Sequence, residues 1–329
     1  QYTVTGMSCA ACSARVEKGR QKIEVTIPVK GNIIRSEQTS DNMYVSIDLV
    51  EEVIERQLRK YKNKLVARSQ GHPTSYTSTG NSFRKEFVRQ IERFYRELDE
   101  IWVIARSEKK LEEIKKSHKT YIRIFAGDME EDLVYKQVKN RLENQNPDIR
   151  MLVNAAGFGK TGTVEEIAKE DKKLQLRMID LNCRGLTEMT CTCLPWMHKG
   201  TRIINLASAA AFCPQAKFAV YAATKSYVLS FSRSLAAELK EKGIFVTAVC
   251  PGPVDTPFFE VSGKLPGGMK EAVMADPVQV VKQALIDAKY KKEVSVYGTA
   301  MKGAEAAAKV LPHGMILKAM SVMEKMTEE

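Results

Sequence analysis

The mostly apolar run Thr201 to Ala207, closed by Ser208, reads as a parallel strand buried on both faces. Such a strand must be covered by helices on either side, which commits the chain to a layered α/β architecture. Downstream, Tyr221 and Lys225 stand four apart in an Ala-rich segment, a spacing that puts both on one face of a helix. A phenol beside an ammonium has its ionised form favoured, so Tyr221 can exchange a proton close to neutral pH while Ser208 hydrogen-bonds the reacting oxygen. This triplet suits redox chemistry between a carbonyl and an alcohol.

Ser208, twelve residues, Tyr221, three residues and Lys225 resemble the catalytic pattern of the short-chain dehydrogenase/reductase family. Other motifs of the family stand around it in the expected order: Asn154-Ala155-Ala156-Gly157 after a strand, Asn182 in Ile-Asp-Leu-Asn-Cys-Arg-Gly, and Pro251-Gly252-Pro253-Val254-Asp255-Thr256. The resemblance implies a doubly wound, mostly parallel sheet over about residues 79–300, with a nicotinamide dinucleotide at the strand ends. It also implies roles. Tyr221 is the acid/base, Lys225 lowers its pKa and holds the ribose, Ser208 steadies the substrate oxygen, and Asn182 supports a water relay or is simply a buried, backbone-satisfied amide. On the cofactor side it implies Thr79, Gly80, Asp128, Asn154, Ala155, Gly157, Pro251, Gly252, Val254 and Thr256, with Asn154 partly structural. Arg106 follows the strand Ile101 to Ala105, where NAD-preferring relatives carry an acid, and a guanidinium there suggests the ribose phosphate of NADP.

The beginning of that domain departs from the pattern. The family motif is Thr-Gly, three residues, Gly, one residue, Gly, whereas Thr79-Gly80 runs on into Asn81, Ser82, Phe83 and Arg84. Those missing glycines would let backbone amides meet a diphosphate, and Phe83 would place a side chain in that space. No apolar run precedes Thr79, so the first strand is doubtful and weak cofactor binding is expected.

Ahead of it stands a small basic module, expected over residues 1–70, with a polar linker at 71–81 and the reductase domain at 82–329. Tyr2 to Val16, with Cys9 and Cys12, resembles the opening strand, loop and helix start of a heavy-metal-associated domain, although no metal site is assigned. Glu17 to Leu65 is similar to the latter half of a ribosome hibernation-promoting factor N-terminal domain. Ile23 to Val29 and Ile33 to Glu37 read as a hairpin, and Met43 to Leu65 as a helix with Arg56, Arg59, Lys60, Lys62 and Lys64 available for phosphates. The family's first strand and helix are missing, so its four-stranded sheet cannot be completed from this segment alone.

Composition sets the outer limits. At 329 residues and 44% hydrophobic the chain can bury one large core or two modest ones. No apolar run is long enough to span a bilayer, and Gln1 to Ser13 lacks the basic start and apolar centre of a secretory leader. Seven cysteines without regular spacing suit reduced thiols in the cytoplasm. A net charge of +11 spread along the chain fits a solvated basic surface, with ribosome or RNA binding the alternative. The function expected is hydride transfer between NADP(H) and a secondary alcohol or ketone, by a chain that can pair as a homo-oligomer. The competing expectations are an RNA- or ribosome-binding protein and an inactive fusion of fragments.

Overall fold

The computed structural model describes residues 80–95, 98–254 and 274–328, together with four strands nearer the N-terminus. The chain divides into two compact units, Gln1–Ser75 and Tyr76–Glu329.

In the first unit, β1 (Tyr2–Thr3), β2 (Ser13–Glu17), β3 (Gln21–Val29) and β4 (Asn32–Ser40) form one antiparallel sheet in sequence order. The expected hairpin is there, with Ile27 opposite Ile34 and Val29 opposite Asn32. One expectation is corrected: Ser13 to Val16 is strand rather than helix start, and with Tyr2–Thr3 it supplies the two strands that Glu17 to Leu65 alone lacks. Cys9, Cys12 and the basic segment Met43 to Leu65 lie outside the described residues.

The second unit alternates helix and parallel strand. Helix α1 (Gly80–Phe94) leads to β5 (Glu100–Ala105), α2 (Glu108–Lys116), β6 (Tyr121–Ala126), α3 (Asp132–Gln145) and β7 (Ile149–Asn154). Then follow α4 (Val164–Glu170), α5 (Leu174–Ile179), a π-helical turn (Asp180–Gly185), α6 (Leu186–Cys193) and β8 (Met197–Leu206). The chain continues through α7 (Ala219–Leu239), β9 (Phe245–Val249), α8 (Pro277–Lys289), β10 (Val294–Ser295), α9 (Thr299–Val310) and α10 (His313–Glu328). Local chemistry sets several boundaries. Ser107 caps α2, Thr163 and Glu166 form a capping box on α4, and Asp276 with Pro277 opens α8. Asn146, in the left-handed region, closes α3.

The parallel strands form two hydrogen-bonded sets among the described residues, β5-β6 and β10-β9-β8-β7. No ladder joins β5 to β7 there, yet the two strands share cores on both faces. Val103 packs in one cluster with Met151 and Val153, and Trp102 and Ile104 join the other with Ile149 and Leu152. In a doubly wound sheet of order 3-2-1-4-5-6, the place between β5 and β7 belongs to the first strand. The residues just ahead of α1 lie outside those described.

Candidate active site

The site is built where β7, β8 and β9 end. At the end of β8 the chain passes Ala207 and turns at Ser208, whose Oγ accepts from the amide of Ala210 at 3.2 Å and opens a 3₁₀ turn, Ala209–Ala211. The amide of Ala209 donates to the Pro251 carbonyl at 2.8 Å, tying this turn to the one after β9. Tyr221 and Lys225 lie on the inward face of α7, both buried, with the ammonium 5.6 Å from the phenol ring centroid. Ser208 and Tyr221 are hydrogen-bonded through their side chains. Phe218 stacks on Tyr221 with centroids 4.3 Å apart.

Charge behaves differently from the expectation. Burial pushes the Tyr221 phenol up to about 12, with the hydrogen bond from Ser208 only partly offsetting it. Burial likewise brings Lys225 down to about 8, while Nζ donates to the Leu206 carbonyl at 2.8 Å. Desolvation is thus the leading influence on both groups, and at neutral pH Tyr221 is a neutral acid beside an ammonium.

Behind this pair sits Asn182, on the π-helical turn and fully buried. Its Oδ1 accepts from the Phe158 amide at 3.0 Å, and its Nδ2 donates to the Phe158 carbonyl at 2.9 Å and to Thr224 Oγ1 at 3.0 Å. Thr224 in turn donates to the Tyr221 carbonyl. Asn182 is thus a buried, hydrogen-bonded amide, with both amide hydrogens used and one lone pair left on Oδ1, which suits either of the two expected roles. Gly157 closes the arrangement: a Cβ there would stand 2.9 Å from Asn182 Oδ1 and 3.3 Å from Lys225 Nζ. One residue on, Phe158 supplies the peptide that holds Asn182. Neither it nor Thr224 stands out in the sequence, although Thr224 lies inside the Tyr-x-x-x-Lys interval.

Asn154 works below the site. Its Nδ2 donates to Thr190 Oγ1 at 3.0 Å and to Asn205 Oδ1 at 2.9 Å, and Asn205 passes the chain on to Ser232. These bonds fasten β7 to β8, α6 and α7.

A cavity of about 160 Å³ opens between these elements, lined by Ala155, Gly157, Ser208, Tyr221, Lys225 and the turn Pro251 to Val254, among others. Asn154, Arg106, Asp128 and Gly80 are not among its lining residues. Gly80 begins α1, Asp128 accepts from the Glu130 amide to shape the turn after β6, and Arg106 is exposed just beyond β5. Thr79 and Thr256 lie outside the described residues. Phe83, in the altered stretch after Thr79-Gly80, is 1% exposed and forms part of the cavity wall. Next to it on α1, Arg84 is brought down to about 10 by burial and then by the charge of Arg106, so two guanidiniums approach each other past the end of β5.

Residues 88–264, over half the chain, match the family model described as short chain dehydrogenase. The chain belongs to the short-chain dehydrogenase family. Among its relatives is an uncharacterized oxidoreductase of Staphylococcus epidermidis, 31% identical over 162 residues that cover 49% of this chain and 69% of that protein. Another is the chloroplastic NADPH-dependent aldehyde reductase 1 of Arabidopsis thaliana, 34% identical over 153 residues, 46% of this chain and 52% of that one. Among solved structures, the short-chain dehydrogenase from Sphingobium yanoikuyae in complex with NADPH superposes with a TM-score of 0.56 at 23% identity, covering 71% of this chain and 91% of that one. This likeness establishes the doubly wound fold. Residues 3–66 match a second model, Sigma 54 modulation protein / S30EA ribosomal protein, which takes in most of the leader set beside a heavy-metal-associated domain. Among the described residues no group of three metal-ligating side chains stands together, and no helix is long and apolar enough to cross a membrane.

Proposed function

We propose that this member of the family is an oxidoreductase acting on a secondary alcohol or ketone with NADP(H). The observation that carries the reading is the meeting of the Ser208–Tyr221 hydrogen bond and buried Lys225 in one cavity, beside Gly157 and the Pro251 to Val254 turn. At that end the residues suit a nicotinamide and its ribose, since Ala155, Gly157 and Gly252 leave room above Tyr221. When bound, the nicotinamide gives or takes the hydride. Everything else falls to the chain. Ser208 holds the substrate oxygen, and Tyr221, a neutral phenol at physiological pH, donates its proton to that oxygen during reduction and takes one back during oxidation. Lys225, as an ammonium, stabilises the phenolate left behind and reaches toward the ribose hydroxyls. The free lone pair of Asn182 Oδ1 accepts from a water that refills the proton. Arg84 and Arg106 form a cationic corner that favours a phosphate-bearing ribose, in keeping with the NADPH named for the Arabidopsis relative. Ala209, Ala210 and Phe218 make the substrate side apolar.

Five described cysteines are free thiols, two of them buried, which supports a reducing, cytoplasmic setting. The test is NADPH-dependent reduction of a panel of ketones. Tyr221→Phe is expected to lower kcat by roughly 10²–10⁴-fold, the usual worth of a positioned acid. Turnover unaffected by that change rules the assignment out.

A second reading attaches to the first unit, whose family match and four-stranded sheet support contact with ribosomal RNA through Arg56 to Lys64. Cosedimentation with small ribosomal subunits should weaken steeply as salt rises. Flat salt dependence counts against phosphate contacts.

A further inference from the structure

Resting on the ketone reduction proposed above, we propose that Gln215 selects the substrate, favouring a ketone that carries a hydroxyl group near the carbonyl to be reduced. Three observations carry this. First, Gln215 lines the same cavity as Ser208 and Tyr221, so a ketone whose oxygen lies on that pair shares its space with the Gln215 carboxamide. Second, the residues that flank Gln215 in the chain and line the cavity with it, Ala209, Ala210 and Phe218, are apolar, and Phe218 is stacked on Tyr221. Beyond Ser208, Tyr221 and Lys225, Gln215 brings the one polar side chain among the described lining residues. Third, its amide is available. Half-buried, it has no hydrogen-bond partner among the described residues, while the loop that carries it is tied on both sides. Before it, Ser226 Oγ donates to the Ala211 carbonyl at 3.1 Å. After it, the Gly162 amide donates to the carbonyl of Lys217 at 2.7 Å. In an apolar pocket a few placed polar groups decide how a ligand lies. A hydroxyl both donates and accepts, so it pairs with either end of a carboxamide, whereas a methyl group in its place leaves the amide desolvated and unpaired. The chemistry at the carbonyl is unchanged: its carbon receives the hydride of NADPH and its oxygen the proton of Tyr221. Gln215 acts on binding and takes no part in proton transfer.

The experiment measures NADPH-dependent reduction, by the full chain, of matched pairs of methyl ketones. Each pair sets a hydroxyketone, with its hydroxyl one or two carbons from the carbonyl, against the ketone that has a methyl group in place of that hydroxyl. In the unaltered chain kcat/KM is expected to favour a hydroxyketone by about 10-fold, near 1.4 kcal/mol, the upper range for a neutral hydrogen bond. Gln215→Met, similar in length and without the amide, is expected to erase that preference by raising KM for the hydroxyketone, with kcat and the plain ketone within about 3-fold of the unaltered chain. Should the Met variant fail to fold, Gln215→Ala reads the same difference. A preference that persists in the variant comes from the electrophilicity of the hydroxyketone itself and overturns the proposal. So does equal reduction of both members of every pair by the unaltered chain, or a loss shared equally by both on substitution. Each of these leaves the reductase reading standing, because the ketones still turn over. Reduction of no ketone at all removes that reading, and this proposal with it.

Discussion

Adding one methyl group at Gly157 tests the geometry around Asn182 while leaving Ser208, Tyr221 and Lys225 themselves unchanged. The new Cβ would sit 2.9 Å from Asn182 Oδ1 and 3.6 Å from its Cγ. Carbon and its neighbours prefer roughly 3.5 Å or more, so the Asn182 amide must retreat by about half an ångström. It has little freedom to do so, because three hydrogen bonds of 2.9 to 3.0 Å fix it to Phe158 and Thr224. Half an ångström takes the bond from the Phe158 amide to about 3.5 Å, beyond useful length. Leaving one or two buried polar groups unsatisfied costs about 1–3 kcal/mol each, so Gly157→Ala should destabilise the second unit by about 2–4 kcal/mol. Asn182→Ala should cost a similar amount, since it strands both the N–H and the C=O of Phe158.

The double substitution separates this account from a generic loss of packing. With Asn182 truncated, the methyl group at position 157 has space, so the two changes together should cost little more than Asn182→Ala alone. That is a coupling of about 2 kcal/mol, well above the scatter of about 0.3–0.5 kcal/mol for independent sites. Both tryptophans, Trp102 and Trp196, lie in the second unit, so urea unfolding followed by tryptophan fluorescence reports on that unit. Additive costs would refute the reasoning. Gly252→Ala is the control: its Cβ would meet Met301, but a flexible thioether can move aside where the pinned Asn182 cannot.

Asn154→Ala should cost about 2–4 kcal/mol, because it frees Thr190 and Asn205 inside the core, and the same urea midpoints would show it. Glu92 ties α1 to the start of β6: burial, which raises its pKa, is outweighed by hydrogen bonds from His118, Thr120 and the Lys119 amide, which hold it at about 2. That contribution is complete above the unfolded value of 4.5 and is lost as pH falls toward 2, so the midpoint gap between the unaltered chain and Glu92→Gln should narrow from pH 6 to pH 3. Lys225 has the same sign at the alkaline end. With a folded pKa near 8 against 10.5, the unfolded chain holds the extra proton, so stability relative to Lys225→Met should rise between pH 8 and 10.5. A flat difference across that window would mean that Lys225 is not desolvated as described.

How much of this could be read from residues follows from how local each determinant is. Tyr221 and Lys225 share a helix face because of their spacing alone, and α8 begins where Asp276 and Pro277 put it. The fastening role of Asn154 also follows from a small, polar residue closing an apolar run. By contrast, Leu174 to Met197 reads as one helix but is divided by the π-helical turn that carries Asn182, and β8 takes Met197 to Gly200 into the strand. Gly185 closes the first division, and a Cβ there would meet Tyr135 Oη at 3.0 Å, a close approach that a single glycine in an apolar helical run does not announce. Helix α4, seven residues long, is too short to show a period, and only its capping box signals it. The sign at Tyr221 was hidden for a different reason. Sequence puts an ammonium next to a phenol, but only the fold reveals that both are taken out of water by Phe218, Ala210 and the Pro251 turn.

The same distinction explains why the two halves of the cleft differ. The half holding Tyr221 is fixed by bonds that cross between elements: Asn154 to Asn205 to Ser232, Asn182 to Phe158, and Ala209 to Pro251. The side-chain bonds among these demand an asparagine at a particular place, which is why Asn154 and Asn182 stand out in the sequence. The half beyond Phe83 is held by apolar contact among Phe83, Phe87, Val103, Ile122 and their neighbours, a medium that accepts any side chain of suitable volume. Phe83, almost wholly buried in that cluster, therefore answers to the volume of its neighbours, and no single hydrogen bond marks its place in the sequence.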